Sequence, residues 1–381
     1  MKTKTIAAIL SVAALCAHAE LVVDVTGTGA EKISIAVEVG NGAYAQTLKR
    51  NLELSGVFAV QANGAIKVSG TPGVSVQATG RGKTVTQGAA GVADDKSARM
   101  AARAFSDKLV ETYANQKGFA LDKICFINRK GSDNADVCVC YPDGQDVRQV
   151  TGDSKAAVGP RWKNGDTIFY TGYRTGGPAV WEVNTATGER KLVWNFKGLT
   201  TGATMSPDGT KVALVSSMRG NPDLYVIDLA TRRYRQLTNT RSASEGQPSW
   251  SPDGRQIVYV SDETRHPQLY VIDLNTLQKR RITSKGGQNV DPDWGKDGKI
   301  TYITKRGGSC VAVIDPAVGE PSVRLVTDPG NWEHPSWARD ARHVVAGSDK
   351  TLYLIDTMEG GDKPRRMFKA AGNWITPSWS K

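Results

Sequence analysis

From about residue 157 onward, short runs of β-branched and aromatic residues alternate with polar breaks rich in Gly, Pro and Asp. The stretch 256–283 shows the pattern: "QIVYV", the polar "SDETRHPQ", "LYVIDL", and then "QKRRIT". Runs of this length, bounded by turn residues, predict β-strands rather than helices. The pattern is also periodic. Trp162, Met205, Trp250, Trp294, Trp337 and Trp379 each precede a turn-like segment, at successive intervals of 43, 45, 44, 43 and 42 residues. A fixed period of about 40–45 residues with four short strands per repeat is the signature of a β-propeller blade. Five complete repeats start near 160, 203, 248, 292 and 335. The stretch 120–158 holds three strands and no leading Pro-x-Trp strand, while "PSW" at 377–379 is a leading strand with nothing after it. The two fragments complete each other, so the terminal strand is expected to close a sixth blade and remove the open sheet edges.

The repeated "SPDG" could be chemistry or turn geometry. Pro presets φ at the second turn position, Asp suits the third and Gly tolerates positive φ at the fourth, so Ser251-Pro252-Asp253-Gly254 reads as a type I turn with a Gly bulge. Asp208, Asp253, Asp297 and Asp340 recur at this position, each expected to face solvent, and one acid per blade does not supply the converging oxygens that Ca²⁺ requires. The recurring Trp residues suit packing between neighbouring blades better than a cofactor site.

Residues 20–118 read differently. "LVVDV", "ISIAVEV", "AIKVSG", "VSVQAT" and "KTVTQG" predict strands, and "YAQTLKRNLELSG" an amphipathic helix ended by Gly56. A longer helix follows in "DDKSARMAARAFSDKLVETYANQKG", with Asp94 or Asp95 as its cap and Ala101, Ala104, Phe105, Leu109 and Tyr113 on one face. The expected fold is mainly β: a six-bladed β-propeller over 119–381, closed by a C-terminal strand and preceded by a small mixed α/β domain. "KGFALDKICFI" joins the two without a flexible linker.

The first 19 residues stand apart. Lys2 and Lys4 precede the apolar run Ile6 to Leu15, and Ala17-His18-Ala19 supplies small residues before Glu20, the pattern of a secretory signal peptide. The run is about half the 20 residues needed to span a bilayer, and Leu15 is too large for lipoprotein processing at Cys16. No later stretch is expected to cross a membrane. Cleavage would remove Lys2 and Lys4 and no acid, taking the formal charge from +11 to +9. The mature chain stays basic, which suits acidic proteins, anionic headgroups or peptidoglycan carboxylates; nucleic acid is not expected for an exported protein. Cys125, Cys138, Cys140 and Cys310 all lie in apolar runs and read as buried thiols, with Cys125 and either Cys138 or Cys140 the alternative for a bridge. His266, His334 and His343 do not lie at ligand spacing from a Cys pair, so no metal site is expected and no cofactor is implied.

Three features together resemble the TolB family, periplasmic β-propeller proteins of the Tol-Pal envelope system: "NLELSGVF" at 51–58, "FSDKLVETYANQKGFALDKICFIN" at 105–128, and the Trp-Ser-Pro-Asp-Gly blades. One segment departs from the family pattern, since only "AVQANGA" stands between Phe58 and Ile66, where relatives carry a longer segment with another helix. The resemblance implies a monomeric, non-catalytic periplasmic scaffold without cofactor. It would bind the peptidoglycan-associated lipoprotein Pal through one propeller face and TolA through the mature N-terminus, meet other outer-membrane proteins, and support outer-membrane integrity and constriction at division. The N-terminal contact would be Glu20, Leu21, Val22, Val23, Asp24 and Val25, as a strand added to a partner's sheet edge or, alternatively, packed on its own domain. Positions matching the family's lipoprotein contacts are Leu199, Gly202 and Gly246, with Val290, Asp291, Glu333 and His334 at the equivalent sites of the next blades.

Connectivity places these residues. Loops after the second strand of each blade and loops between blades emerge at one end, and the Pro-Asp-Gly turns at the other. At the first end stand Arg129, Arg174, Arg219, Arg265 and Arg306, one in each of five successive blades, a basic ring around the channel mouth. The competing expectation is a secreted propeller enzyme acting on glycans or peptides. It is weakened by the scattered His residues, by the absence of Gly-x-Ser-x-Gly, and by the sequence ending two residues after Trp379, where no hydrolase domain is expected to follow.

Overall fold

The computed structural model describes residues 31–40, 42–89, 91–131, 133–152, 155–369 and 372–380. The leader and the segment Glu20–Val25 lie outside the described residues. Six four-stranded antiparallel sheets form the propeller. Blade 3 is typical, with Glu245–Trp250 innermost, followed outward by Gln256–Ser261, Gln268–Asp273 and Lys279–Arg281. The closing blade unites the chain's two ends: Trp374–Trp379 pairs with Ile124–Arg129, Trp379 opposite Ile124 and Trp374 opposite Asn128. Neighbouring blades cover both faces of each sheet, so middle strands are buried along their length rather than on alternate residues. Ala135–Cys140, with all six residues buried, is the clearest case.

Each anchor packs on the preceding blade. Trp250 joins Ala213 and Leu224, Trp294 joins Val258 and Leu269, Trp337 joins Ile303 and Val311, and Trp379 joins Val345 and Leu352. Burial of an aromatic side chain stabilises by about 1.5–3 kcal/mol, which is why the 43-residue repeat is marked by its aromatic. The turns follow the sequence reading. Gly254 N–H donates to Ser251 O at 2.9 Å, and Gly254 sits at φ +67°, a region that glycine enters without a Cβ clash. Asp253 Oδ1 accepts from Ser251 Oγ at 2.6 Å and Arg255 N at 3.1 Å, so its carboxylate closes its own turn. Asp208 and Asp297 are likewise exposed.

Asp340 corrects the expectation of four solvent-facing acids. Its side chain is 8% exposed and accepts from His343 Nδ1 at 2.6 Å. The N-terminal unit covers this turn of blade 5, with Asn51, Ser106 and Phe119 beside it. Burial opposes its charge, but His343 and the backbone N–H groups of Arg342 and His343 hold the carboxyl below its usual range.

The N-terminal unit is a five-stranded sheet carrying α1 (Ala43–Leu54) and α2 (Asp95–Ala114). These are the two α-helices among the described residues. Residues 61–65 connect strands directly where relatives were expected to carry a further helix. The short strand Phe58–Val60, which the sequence reading missed, runs parallel to Ile33–Glu38 at the sheet edge. At the start of α2, Asp94 accepts from Ser97 N at 2.7 Å while Ser97 Oγ accepts from Asp94 N at 2.9 Å, a reciprocal cap. Ala101, Ala102, Phe105 and Leu109 bury against Leu48 and Leu52 of α1.

An ion cluster fixes this unit to the propeller. Arg103, fully buried, donates to Asp143 Oδ2 at 2.9 Å, to Asp143 Oδ1 at 3.1 Å and to Asp146 Oδ2 at 2.7 Å, with its guanidinium 3.9 Å over the Tyr141 ring. Arg50 adds bonds to the carbonyls of Asp143 and Met367. The connecting segment is held too, because Asp107 accepts from Ala120 N at 2.7 Å and Leu121 N at 3.1 Å.

The four cysteines among the described residues, Cys125, Cys138, Cys140 and Cys310, are buried free thiols. Register explains why Cys125 has no bridge: directly paired residues share a sheet face, and Cys125 stands opposite Val139, Cys138 opposite Phe126 and Cys140 opposite Ile124. Cys125 therefore points away from both neighbours. Burial pushes the Cys125 and Cys138 thiols up to about 12, far from a reactive thiolate.

Candidate docking face of the propeller

The rim opposite the Pro-Asp-Gly turns is built by one repeated irregularity. In all six blades the innermost strand slips register against its neighbour, between the fourth and the first residue before the anchor. At the slip, the residue three before the anchor takes a left-handed backbone: Gly159 (φ +55°), Gly202 (+67°), Gln247 (+53°), Asp291 (+55°), His334 (+47°) and Thr376 (+50°). In five of the six a proline follows, Pro160, Pro248, Pro292, Pro335 and Pro377. Proline lacks the ladder N–H and is tolerated where a strand is an edge and bulges, which the innermost strand does at the channel.

The bulge turns side chains toward the neighbouring blade and the rim. Gln247 Oε1 accepts from Asp291 N at 2.9 Å and its Nε2 donates to Asp291 Oδ1. Asp291 Oδ2 accepts from His334 N at 3.1 Å, and His334 Nε2 lies 3.4 Å from Asp291 Oδ1. One layer deeper, Ser249 Oγ accepts from Trp294 N at 3.0 Å, Asp293 Oδ2 from Trp337 N at 2.8 Å, and Ser336 Oγ from Trp379 N at 3.1 Å. These belts tie successive blades side chain to main chain and make the rim a preformed surface.

The seven positions carried over from the resemblance fall on this rim with different exposure. Leu199 is half-buried in the loop entering blade 2, its N–H donating to Ser217 Oγ at 2.8 Å. Gly202 and Gly246 lie within innermost strands, and nothing stands within 4 Å of where a Cβ would be at Gly246. Val290 is half-buried, whereas Asp291 is buried, its carboxylate bonded to blades 3 and 5. Glu333 and His334 are half-buried. Burial raises the Glu333 carboxyl, against the pull of His334. The sequence reading overlooked Gln247 and Thr376; the prolines beside them, anomalous inside strand patterns, were the available signal.

All five ring arginines are exposed, four in the loop after the second strand of their blade and Arg129 as the last residue of that strand. The Arg174 guanidinium lies 5.0 Å from the Trp181 ring and Arg219 donates to Gln236 Oε1 at 2.9 Å. Blade 5 interrupts the ring with the tight turn Asp349-Lys350, both at positive φ. Beneath Gly246, Glu245 is buried with its Oε2 accepting from Thr240 Oγ1 at 3.1 Å and Oε1 from Ser261 Oγ at 3.2 Å. Burial, reinforced by Asp223, pushes its carboxyl up to about 7. Among the described residues, no three His, Cys, Asp or Glu side chains are grouped as a metal site.

The family profile described as "TolB beta propeller domain" matches residues 110–381, most of the chain. The chain belongs to the TolB family. A Tol-Pal system protein TolB of Gluconobacter oxydans is 33% identical over 312 residues, 77% of this chain and 68% of that protein. Another, from Chromobacterium violaceum, is 29% identical over 221 residues, spanning 48% of this chain and about half (51%) of its own length. The crystal structure of TolB from Acinetobacter baumannii superposes with a TM-score of 0.77, at 22% identity, over 93% of this chain and 98% of that one. It shares both the propeller and the α/β unit outside the TolB profile match. A nidogen/laminin complex chain superposes at TM-score 0.56 and 8% identity over 68% of this chain, so the fold alone does not single out TolB proteins.

Proposed function

We propose that this TolB-family chain is a non-catalytic periplasmic scaffold of the Tol-Pal system. The basic rim receives the Pal-type lipoprotein, and Glu20–Val25, freed from the leader, adds as a strand to a TolA-type partner. The observation that carries the reading is the rim itself: six bulged inner strands, locked by inter-blade hydrogen bonds, surrounded by five exposed arginines and open above Gly246. A rigid surface loses little conformational entropy on binding, and a ring of like charge steers an acidic partner toward it. Leu199, Gly202, Gly246, Val290, Glu333 and His334 supply the contact, while Asp291 holds the backbone beneath it. Such a scaffold would serve outer-membrane integrity and constriction at division.

Co-purification from envelope extract, run beside a glycan and peptide turnover screen, tests the proposal. Recovery of a peptidoglycan-associated lipoprotein and a TolA-like protein without turnover supports it. Turnover without either partner overturns it in favour of an enzyme.

A further inference from the structure

We infer that the turn-side mouth of the channel, opposite the docking rim, is a separate binding site for a small zwitterion, an amino acid or dipeptide with an apolar side chain. A cavity of about 500 Å³ opens there, within the range of about 300–1,000 Å³ usual for small-molecule sites. Its wall is set by the residue one before each anchor: Arg161, Thr204, Ser249, Asp293 and Ser378 line it, and Ser336 completes the layer. Above them the indoles of Trp162, Trp250, Trp294 and Trp379 and the turn prolines Pro207 and Pro252 give it an apolar surface.

Within this layer the repeat has an evident structural task, which one residue cannot perform. Ser249, Asp293 and Ser336 each accept from the anchor N–H of the next blade. Arginine has no acceptor. Arg161 therefore adds nothing to the belt, and among the described residues its side chain makes no hydrogen bond or ion pair, although half-buried in the cavity wall. Its nearest basic companion in sequence is already engaged, since Lys163 Nζ pairs with Glu182 at 2.7 Å. The guanidinium is thus a forked donor facing enclosed space, suited to a carboxylate.

Asp293 stands three blades from Arg161, on the opposite wall of a six-fold ring, its carboxylate oriented by Trp337 N–H and the Ser336 hydroxyl. A cation-binding wall facing an anion-binding wall, with hydroxyls between and indoles above, matches a molecule carrying a carboxylate, an ammonium and an apolar side chain. Lys163 and Lys296 also line the cavity, Lys163 held by Glu182.

Calorimetric titration of the full chain with L-phenylalanyl-L-alanine, its C-terminal amide and its N-acetyl form tests the site. The free dipeptide is expected to bind saturably. Amidation and Arg161→Gln should each weaken binding at least about tenfold, the scale of a charge-assisted pair. N-acetylation should weaken it as well, by removing the charge that faces Asp293. Arg161→Gln should melt with the parent, because the side chain has no partner to lose. Binding unaffected by amidation or by Arg161→Gln, or no saturable binding of the free dipeptide, overturns the inference. So does loss of dipeptide binding in Gly246→Trp, which would move the ligand to the docking rim; the scaffold reading stands or falls separately on its protein partners.

Discussion

The indole Nε1 of Trp379 donates to Asp122 Oδ2 at 3.0 Å, joining residues 257 positions apart. Arg339 of blade 5 pairs with the same carboxylate, and Phe119 stacks edge-on against the indole at 5.4 Å. The closing strand is thus gripped from blade 5, from the closing blade and from the segment that enters the propeller. Trp379→Ala should cost about 3–5 kcal/mol, as for a buried aromatic, and deleting residues 374–381 should lower the melting temperature further by exposing the edge of Ile124–Arg129. A deletion variant that melts with the parent would contradict closure by this strand.

Arg103 is the second point on which the two halves depend. Removing one partner of a buried ion pair strands the other, typically at about 3–5 kcal/mol. Arg103→Ala should therefore lose stability on that scale in denaturant unfolding, leaving Asp143 fully buried without its counter-charge. A loss below about 1 kcal/mol, the level of an exposed pair, would mean that the cluster does not hold the N-terminal unit.

Glu245 makes stability depend on pH. Its carboxyl is pushed from an ordinary 4.5 up to about 7, chiefly by burial. For an acid with a raised folded-state value, the neutral form is favoured in the fold, so its contribution is fully present below about pH 4.5 and is lost as pH rises through 7. Glu245→Gln should flatten the fall in stability between these values, read from denaturant midpoints across that window. An unchanged pH slope would contradict the assignment.

Most of the architecture was legible because it rests on local chemistry repeated six times. Trp anchors mark packing between blades, Ser-Pro-Asp-Gly marks a turn, and Asp94 with Ser97 marks a helix start. The unmatched leading strand at 377–379 was legible by complementarity with 120–158. What escaped the sequence was set by tertiary neighbours. Asp340 follows the same pattern as Asp253, yet docking of the N-terminal unit buries it. Phe58–Val60 is too short to signal a strand without Ile33–Glu38 beside it. Arg103 and Asp143 are 40 residues apart in different units, a pairing no periodicity announces. The rim was located by connectivity, but the bulges that shape it were not, because their sign is a proline in a strand pattern and Gly202-Ala203 lacks even that.

Binding at the rim is tested most directly by titrating a purified peptidoglycan-associated lipoprotein into the parent chain and into Gly246→Trp. A Cβ at Gly246 meets nothing within 4 Å, and its backbone is free of positive φ, so the bulky side chain should project from the rim without disturbing the fold. The account predicts an unchanged melting temperature and an affinity at least about tenfold weaker, or about 1.4 kcal/mol. Equal affinity for the two proteins would contradict it.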